Sequence, residues 1–195
     1  MNKDNFLISE SDNFLSNKHK KIITQLIEEA KLPFFMGPAF GKKINYPYLC
    51  HTILKRPEDR TKTNSTYGSK YAMEKGFNSE YADIFLEFLF AFCDKQKVKI
   101  NKKSKTIFRI SVNLTFNIGI ERCPTHRDHD FNHKQLIIYL TNPDRNAKTV
   151  LLNKKNKIVN QITPKKYKGI LFGACDHYML YPKKGARMIV IYTFD

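Results

Sequence analysis

The feature that most restricts the fold is a change of pattern after residue 105. Before that point apolar residues recur at helical spacing or follow no period, whereas beyond it they alternate. Phe108, Ile110, Val112, Leu114 and Phe116 are interleaved with Arg109, Ser111, Asn113, Thr115 and Asn117, the period of a strand with one apolar and one polar face. Further apolar runs at 135–141, 149–152, 157–162, 169–173, 177–181 and 186–194 are separated by clusters of Asn, Pro, Gly or Lys, which is turn chemistry. Seven or eight short strands with no helix between them require a sandwich or a barrel. The expected class is α+β with a mainly β core at 106–195.

The first half supports that core in another way. Ile22, Ile23, Leu26, Ile27 and Ala30 predict a helix over 18–31, stopped by Pro33. A second helix is predicted over 79–94, with Ser79 as N-cap and Tyr81, Ile84, Phe85, Phe88, Leu89 and Phe92 as a buried aromatic stripe. Between them the chain reads as loop with a strand near 46–54. Residues 55–69 are polar and aperiodic, either a candidate lid over a site or a tolerated insertion. With 195 residues the chain is expected to form a single domain, 1–195, in which 1–105 is helical and loop support.

Composition excludes several classes. The four cysteines, Cys50, Cys93, Cys123 and Cys175, form no C-x-x-C pair, which argues against a disulfide framework or a zinc ribbon and for reduced thiols. No run of apolar residues is long enough for a membrane span, and residues 1–11 carry Asp4 and Glu10 where a signal core would be apolar. A soluble, cytoplasmic protein is expected. The net charge of +16 suits nucleic acid or an acidic partner. Yet the excess is largely scattered Lys in a chain rich in Asn and Ile, a trio that A+T-rich coding produces without any partner.

Chemistry concentrates in the segment Thr125-His-Arg-Asp-His-Asp-Phe-Asn-His133. His126, His129 and His133 could share a helix face, or His126 and Asp128 could point together from an extended backbone. Pro124 before and the strand after favour the extended pair. His177 follows 51 residues after His126, at the start of a strand, and Arg187 ten residues later. Two imidazoles and one carboxylate on one face of an octahedron leave positions open for a bidentate co-substrate and O₂, the arrangement of non-haem Fe(II). A closed zinc site would want four ligands, usually with thiolates. His129 and His133 read as solvated groups or neighbours of the ligands, and His19 and His51 as incidental.

As a set, these residues resemble the Fe(II)/2-oxoglutarate-dependent oxygenases, in their prolyl 4-hydroxylase-like branch. The likeness is carried by His126-Arg-Asp128, Ile137-Ile-Tyr-Leu-Thr141, Ile170-Leu-Phe172 leading to His177, and Gly185-Ala-Arg187 running into Ile191-Tyr-Thr-Phe-Asp195. It spans about residues 107–195 and implies a double-stranded β-helix, of jelly-roll or cupin-like form, flanked by N-terminal helices. It also implies that His126, Asp128 and His177 ligate Fe(II), with 2-oxoglutarate and O₂ as co-substrates. Arg187 would then pair with the distal carboxylate of 2-oxoglutarate, Tyr139 would add its hydroxyl to the same carboxylate, and Asn113 would face the interior near the metal. The family's Gly-Gly-x-Thr turn stands here as Asn146-Ala-Lys-Thr149.

The resemblance implies a dioxygenase hydroxylating an unactivated C–H bond, with a prolyl residue in a protein or peptide as the favoured substrate. Two other functions compete with it. One is an oxygenase of nucleic acid or a nucleobase, suggested by the charge. The other is a non-catalytic basic binding module on a jelly-roll scaffold.

Overall fold

A computed structural model describes residues 6–29, 31–37, 48–57, 77–100 and 106–195. The elements are β1 (Leu7–Ser11), α1 (Asn17–Glu28), β2 (Phe35–Gly37), β3 (Tyr48–Leu54), α2 (Ala82–Gln96), β4 (Ile107–Phe116), β5 (Lys134–Tyr139), β6 (Thr149–Leu152), β7 (Ile158–Ile162), β8 (Gly169–Gly173), β9 (His177–Met179) and β10 (Ala186–Phe194). Two antiparallel sheets result, a seven-stranded one in the order β1-β8-β5-β10-β4-β3-β2 and a three-stranded one in the order β7-β6-β9. The expected mainly β jelly roll with flanking helices is what the chain forms.

Alternation along β10 shows how the layers are divided. Met188, Val190, Tyr192 and Phe194 pack with the helices, whereas Ile189 and Ile191 turn inward to meet Ile137, Tyr139, Leu151, Ile162, Ile170 and Phe172. On the helical side α2 supplies Phe85, Phe88, Leu89 and Phe92, all buried. Each such side chain contributes about 1.5–3 kcal/mol on leaving water. The Tyr192 hydroxyl, inside this layer, donates to the Phe85 carbonyl at 2.8 Å, so helix and sheet are tied by a satisfied polar group as well as by packing.

The helices depart from expectation at their ends. Ser16 caps α1 by accepting from the His19 amide at 3.2 Å, and the helix closes at Glu28, three residues before the expected end. Ser79 does not cap α2. Its hydroxyl accepts from the Tyr81 amide at 3.1 Å and bonds His51 Nε2 at 2.7 Å, and the helix begins only at Ala82. His51 is accordingly a buried structural residue, with Nδ1 on the Pro33 carbonyl at 2.8 Å.

The first half does more than support. β1, β2 and β3 are three of the seven strands of the main sheet. β1 was not legible because Ile8 and Glu10 both face solvent while Leu7, Ser9 and Ser11 turn partly inward, so its residues alternate in burial and not in polarity. Of the candidate lid, Lys55 to Pro57 are described and 58–69 lie outside the described residues.

Candidate metal centre

The alternating polar face of β4 is buried. Arg109, Asn113 and Thr115 line an internal cavity of about 500 Å³ between the two sheets, together with Ile137, Thr149, Met179, Ile189 and others. Ser111 stands on the same face, its hydroxyl donating to Asn113 Oδ1 at 2.8 Å.

Backbone pairing sets the two imidazoles side by side. His126 and His177 exchange amide-to-carbonyl bonds in both directions, at 3.0 and 2.9 Å, which brings the ring centroids to 4.5 Å. Each Nδ1 lies 3.0 Å from the carbonyl two residues back, Pro124 for His126 and Cys175 for His177. A carbonyl only accepts, so Nδ1 carries a proton in both rings and Nε2 is the atom left to bind a metal, with the ring direction fixed by the Nδ1 bond. Burial, followed by the neighbouring His126, pushes the His177 ring down to about 4. It is therefore neutral at physiological pH.

Asp128 supplies the carboxylate. Its Oδ1 accepts from Arg109 Nη1 at 2.8 Å and from Arg56 Nη2 at 3.1 Å, and its main-chain carbonyl accepts from Arg56 Nη1 at 2.8 Å. Burial acts to raise the carboxyl, but the Arg109 guanidinium, with His177, His126 and Arg56, outweighs it and holds the group well below the usual carboxylate range. Oδ2 is buried with no hydrogen-bond partner and lies 3.7 Å from His177 Nε2. Ligand atoms of His126, Asp128 and His177 all lie within 4.8 Å of one another. An orphaned, ionised carboxylate oxygen buried beside two imidazoles is a costly arrangement, and a divalent cation removes that cost. The three residues fit the metal.

Arg187 lies deeper in the cavity wall and is only 2% exposed. It donates from Nη2 to Thr149 Oγ1 at 3.0 Å and from Nη1 to Met179 Sδ at 3.4 Å, and its Nε has no partner. No carboxylate among the described residues pairs with it. A buried guanidinium with an unspent donor suits an anion entering the cavity.

Tyr139 sits differently from the family's pattern. Its hydroxyl bonds Thr149 Oγ1 at 2.7 Å, and its ring lies under the Arg187 guanidinium, 5.5 Å away. Thr149, not Tyr139, lines the cavity, so the tyrosine acts through the threonine and the arginine. Asn113 lines the cavity.

Several site residues escaped the sequence. Arg56 precedes an aperiodic loop and gave no signal. Arg109 shares the polar face that drew attention to Asn113, and that shared face was the available clue. Of the two readings of His129 and His133, solvated groups or neighbours of the candidate ligands, burial rules out the first, and His133 stands close enough to His177 to act on its ring. The two are 5% and 3% exposed, with His129 Nε2 on Thr193 Oγ1 at 2.8 Å and its ring stacked on Phe131. His19 pairs with Glu87 at 3.5 Å.

Solved structures with this arrangement of strands decide the fold. A 2OG-Fe(II) oxygenase family oxidoreductase from Burkholderia pseudomallei superposes with a TM-score of 0.66 at 15% identity, over 93% of this chain and 81% of that one. The chain has the 2OG-Fe(II) oxygenase fold. A prolyl hydroxylase from Trichoplax adhaerens, solved with a hypoxia inducible factor peptide fragment, matches over 100% of this chain and 85% of its own at 16% identity and a TM-score of 0.61. The 2OG-Fe(II) fold also accommodates other chemistry. The alpha ketoglutarate dependent epimerase SnoN of nogalamycin biosynthesis matches over 99% of this chain and 78% of its own at 8% identity and a TM-score of 0.57. No family model matches the sequence, and no curated protein does.

Proposed function

We propose that this protein is an Fe(II)- and 2-oxoglutarate-dependent dioxygenase that hydroxylates a C–H bond of a peptide-borne residue, proline being the favoured target. The observation that carries the reading is the buried Asp128 Oδ2, without a hydrogen-bond partner, set against His126 and His177, with Arg187, which no described carboxylate pairs, in the same cavity. When bound, iron and 2-oxoglutarate supply the oxidising chemistry that places one oxygen atom of O₂ on the substrate.

The chain's own residues do the rest. His126 and His177 offer ring nitrogens whose direction is fixed by their Nδ1 bonds. Asp128 offers a single oxygen, because the other is held by two guanidiniums. Arg187 receives the far carboxylate of the co-substrate in a fork that a lysine would not reproduce, with Thr149 and Tyr139 holding that fork in place. Ile137, Ile189 and Ile191 form an apolar wall that excludes water. The prolyl hydroxylase neighbour, solved with a peptide, supports a peptide substrate. The four free thiols favour a reducing compartment such as the cytoplasm.

The test is succinate release from 2-oxoglutarate under O₂ with and without Fe(II). Iron-dependent release that is lost in His126→Ala and His177→Ala is expected. Absence of release from folded, iron-loaded protein overturns the reading.

A further inference from the structure

The cavity holds more cations than its expected ligands consume. Arg109, Arg127 and Arg187 line it together with Arg56, whose guanidinium is already engaged on Asp128, and Asp128 is the one carboxylate among the described lining residues. Arg127 is partly neutralised by Asp176, Nε to Oδ1 at 3.1 Å. A divalent metal and a dianionic co-substrate cancel each other, so loading the centre leaves the positive excess in place.

That excess gathers around Arg109. Its side chain is 11% exposed, and of its five donors one, Nη1, is engaged among the described residues, on Asp128 Oδ1. Arg56 reaches the same oxygen, and Tyr48 lines the same cavity. Because both arginines bond an oxygen of a metal ligand, an anion they accept is held beside the metal. A guanidinium this buried gains most from a partner that brings a full negative charge.

Resting on the oxygenase reading above, we infer that the primary substrate is an acidic peptide segment, with a carboxylate on the hydroxylated residue or its immediate neighbour received by Arg109, Arg56 and Tyr48. A phosphodiester would also satisfy cations, but two observations favour the peptide. The cavity-lining Tyr178, which could stack a base, is already covered by Arg122 at 4.6 Å. And among the solved structures this chain resembles, a prolyl hydroxylase is in complex with a peptide fragment.

The experiment uses the full chain loaded with Mn(II) and 2-oxoglutarate under nitrogen, so that binding is read without turnover. Fluorescent alanine-based peptides with one central proline carry Glu, Ala or Lys beside it, and a single-stranded oligonucleotide serves as the fourth probe. Anisotropy is expected to show the Glu peptide binding at least about tenfold tighter than the Ala peptide, with the Lys peptide weakest. Arg56→Gln should narrow the Glu-to-Ala ratio, while Mn(II) titration checks that the centre still loads. Equal affinities, a preference for Lys, or no peptide binding overturns the inference, and tighter binding of the oligonucleotide overturns it in favour of nucleic acid. Succinate release is measured separately: its absence strikes the oxygenase reading, whereas release without a Glu preference strikes only this one.

Discussion

At the scale of single residues, Asp128 links metal binding to stability. Asp128→Ala should abolish Mn(II) binding in a calorimetric titration and also destabilise the metal-free protein by about 3 kcal/mol, because the buried Arg109 loses its counter-charge. Unchanged urea midpoints would mean that Arg109 finds another anion. His177 makes the fold sensitive to acid. Its ring titrates near about 4 in the folded chain against about 6.5 unfolded, so between those values the unfolded chain binds a proton that the folded chain refuses. Stability of the metal-free protein is therefore full above about pH 6.5 and falls as pH drops toward about 4. Asp128, whose folded titration is depressed, adds a loss in the same direction below the carboxylate range. Urea midpoints measured across this window should decline, and more shallowly in His177→Leu. For the co-substrate, Arg187→Ala should weaken 2-oxoglutarate binding by about 3–5 kcal/mol. Tyr139→Phe should cost less, about 1 kcal/mol, because its hydroxyl acts through Thr149; calorimetry on the Mn(II) protein compares the two. The grouping of His126, Asp128 and His177 was legible because its spacing survives as sequence. Arg56 was not, since only folding brings it to Asp128.

Elements carry their own lesson. The alternation in β4 predicts a strand with one polar face, yet it gives no sign of which face meets water. Here the polar face is the inner one, because it surrounds a cavity built to hold charged groups. Helix α2 was legible from its aromatic stripe, whereas its start was not, because Ser79 serves His51 in place of the helix end. Packing between α2 and β8 is tight at Gly169, where an added Cβ would lie 2.7 Å from two atoms of the Phe92 ring and 3.0 Å from Phe14. Gly169→Ala should therefore cost about 1–3 kcal/mol, read as a lower melting temperature, with Phe92→Leu recovering part of it. Additive losses in the double variant would show that the ring is not the obstacle.

For the whole molecule, metal and fold are linked by mass action. A ligand present at about a hundred times its dissociation constant adds about 2.7 kcal/mol, which for a chain of this size is about 5–10 °C in melting temperature. Adding a chelator to Mn(II)-loaded protein should lower the melting temperature by that amount, and should leave that of His126→Ala unchanged. The sheet order has a different consequence, for how the protein is made. β10 lies between β4 and β5 in the main sheet but follows both in the chain, so a ribosome delivers the two flanking strands before the one that joins them. Until residues 186–194 emerge, β4 and β5 each present an unpaired edge, the state in which nascent chains stick to one another. Pauses in translation just upstream of β10 would prolong that exposure, which makes the timing of synthesis, as well as the finished fold, a determinant of how much active protein a cell recovers.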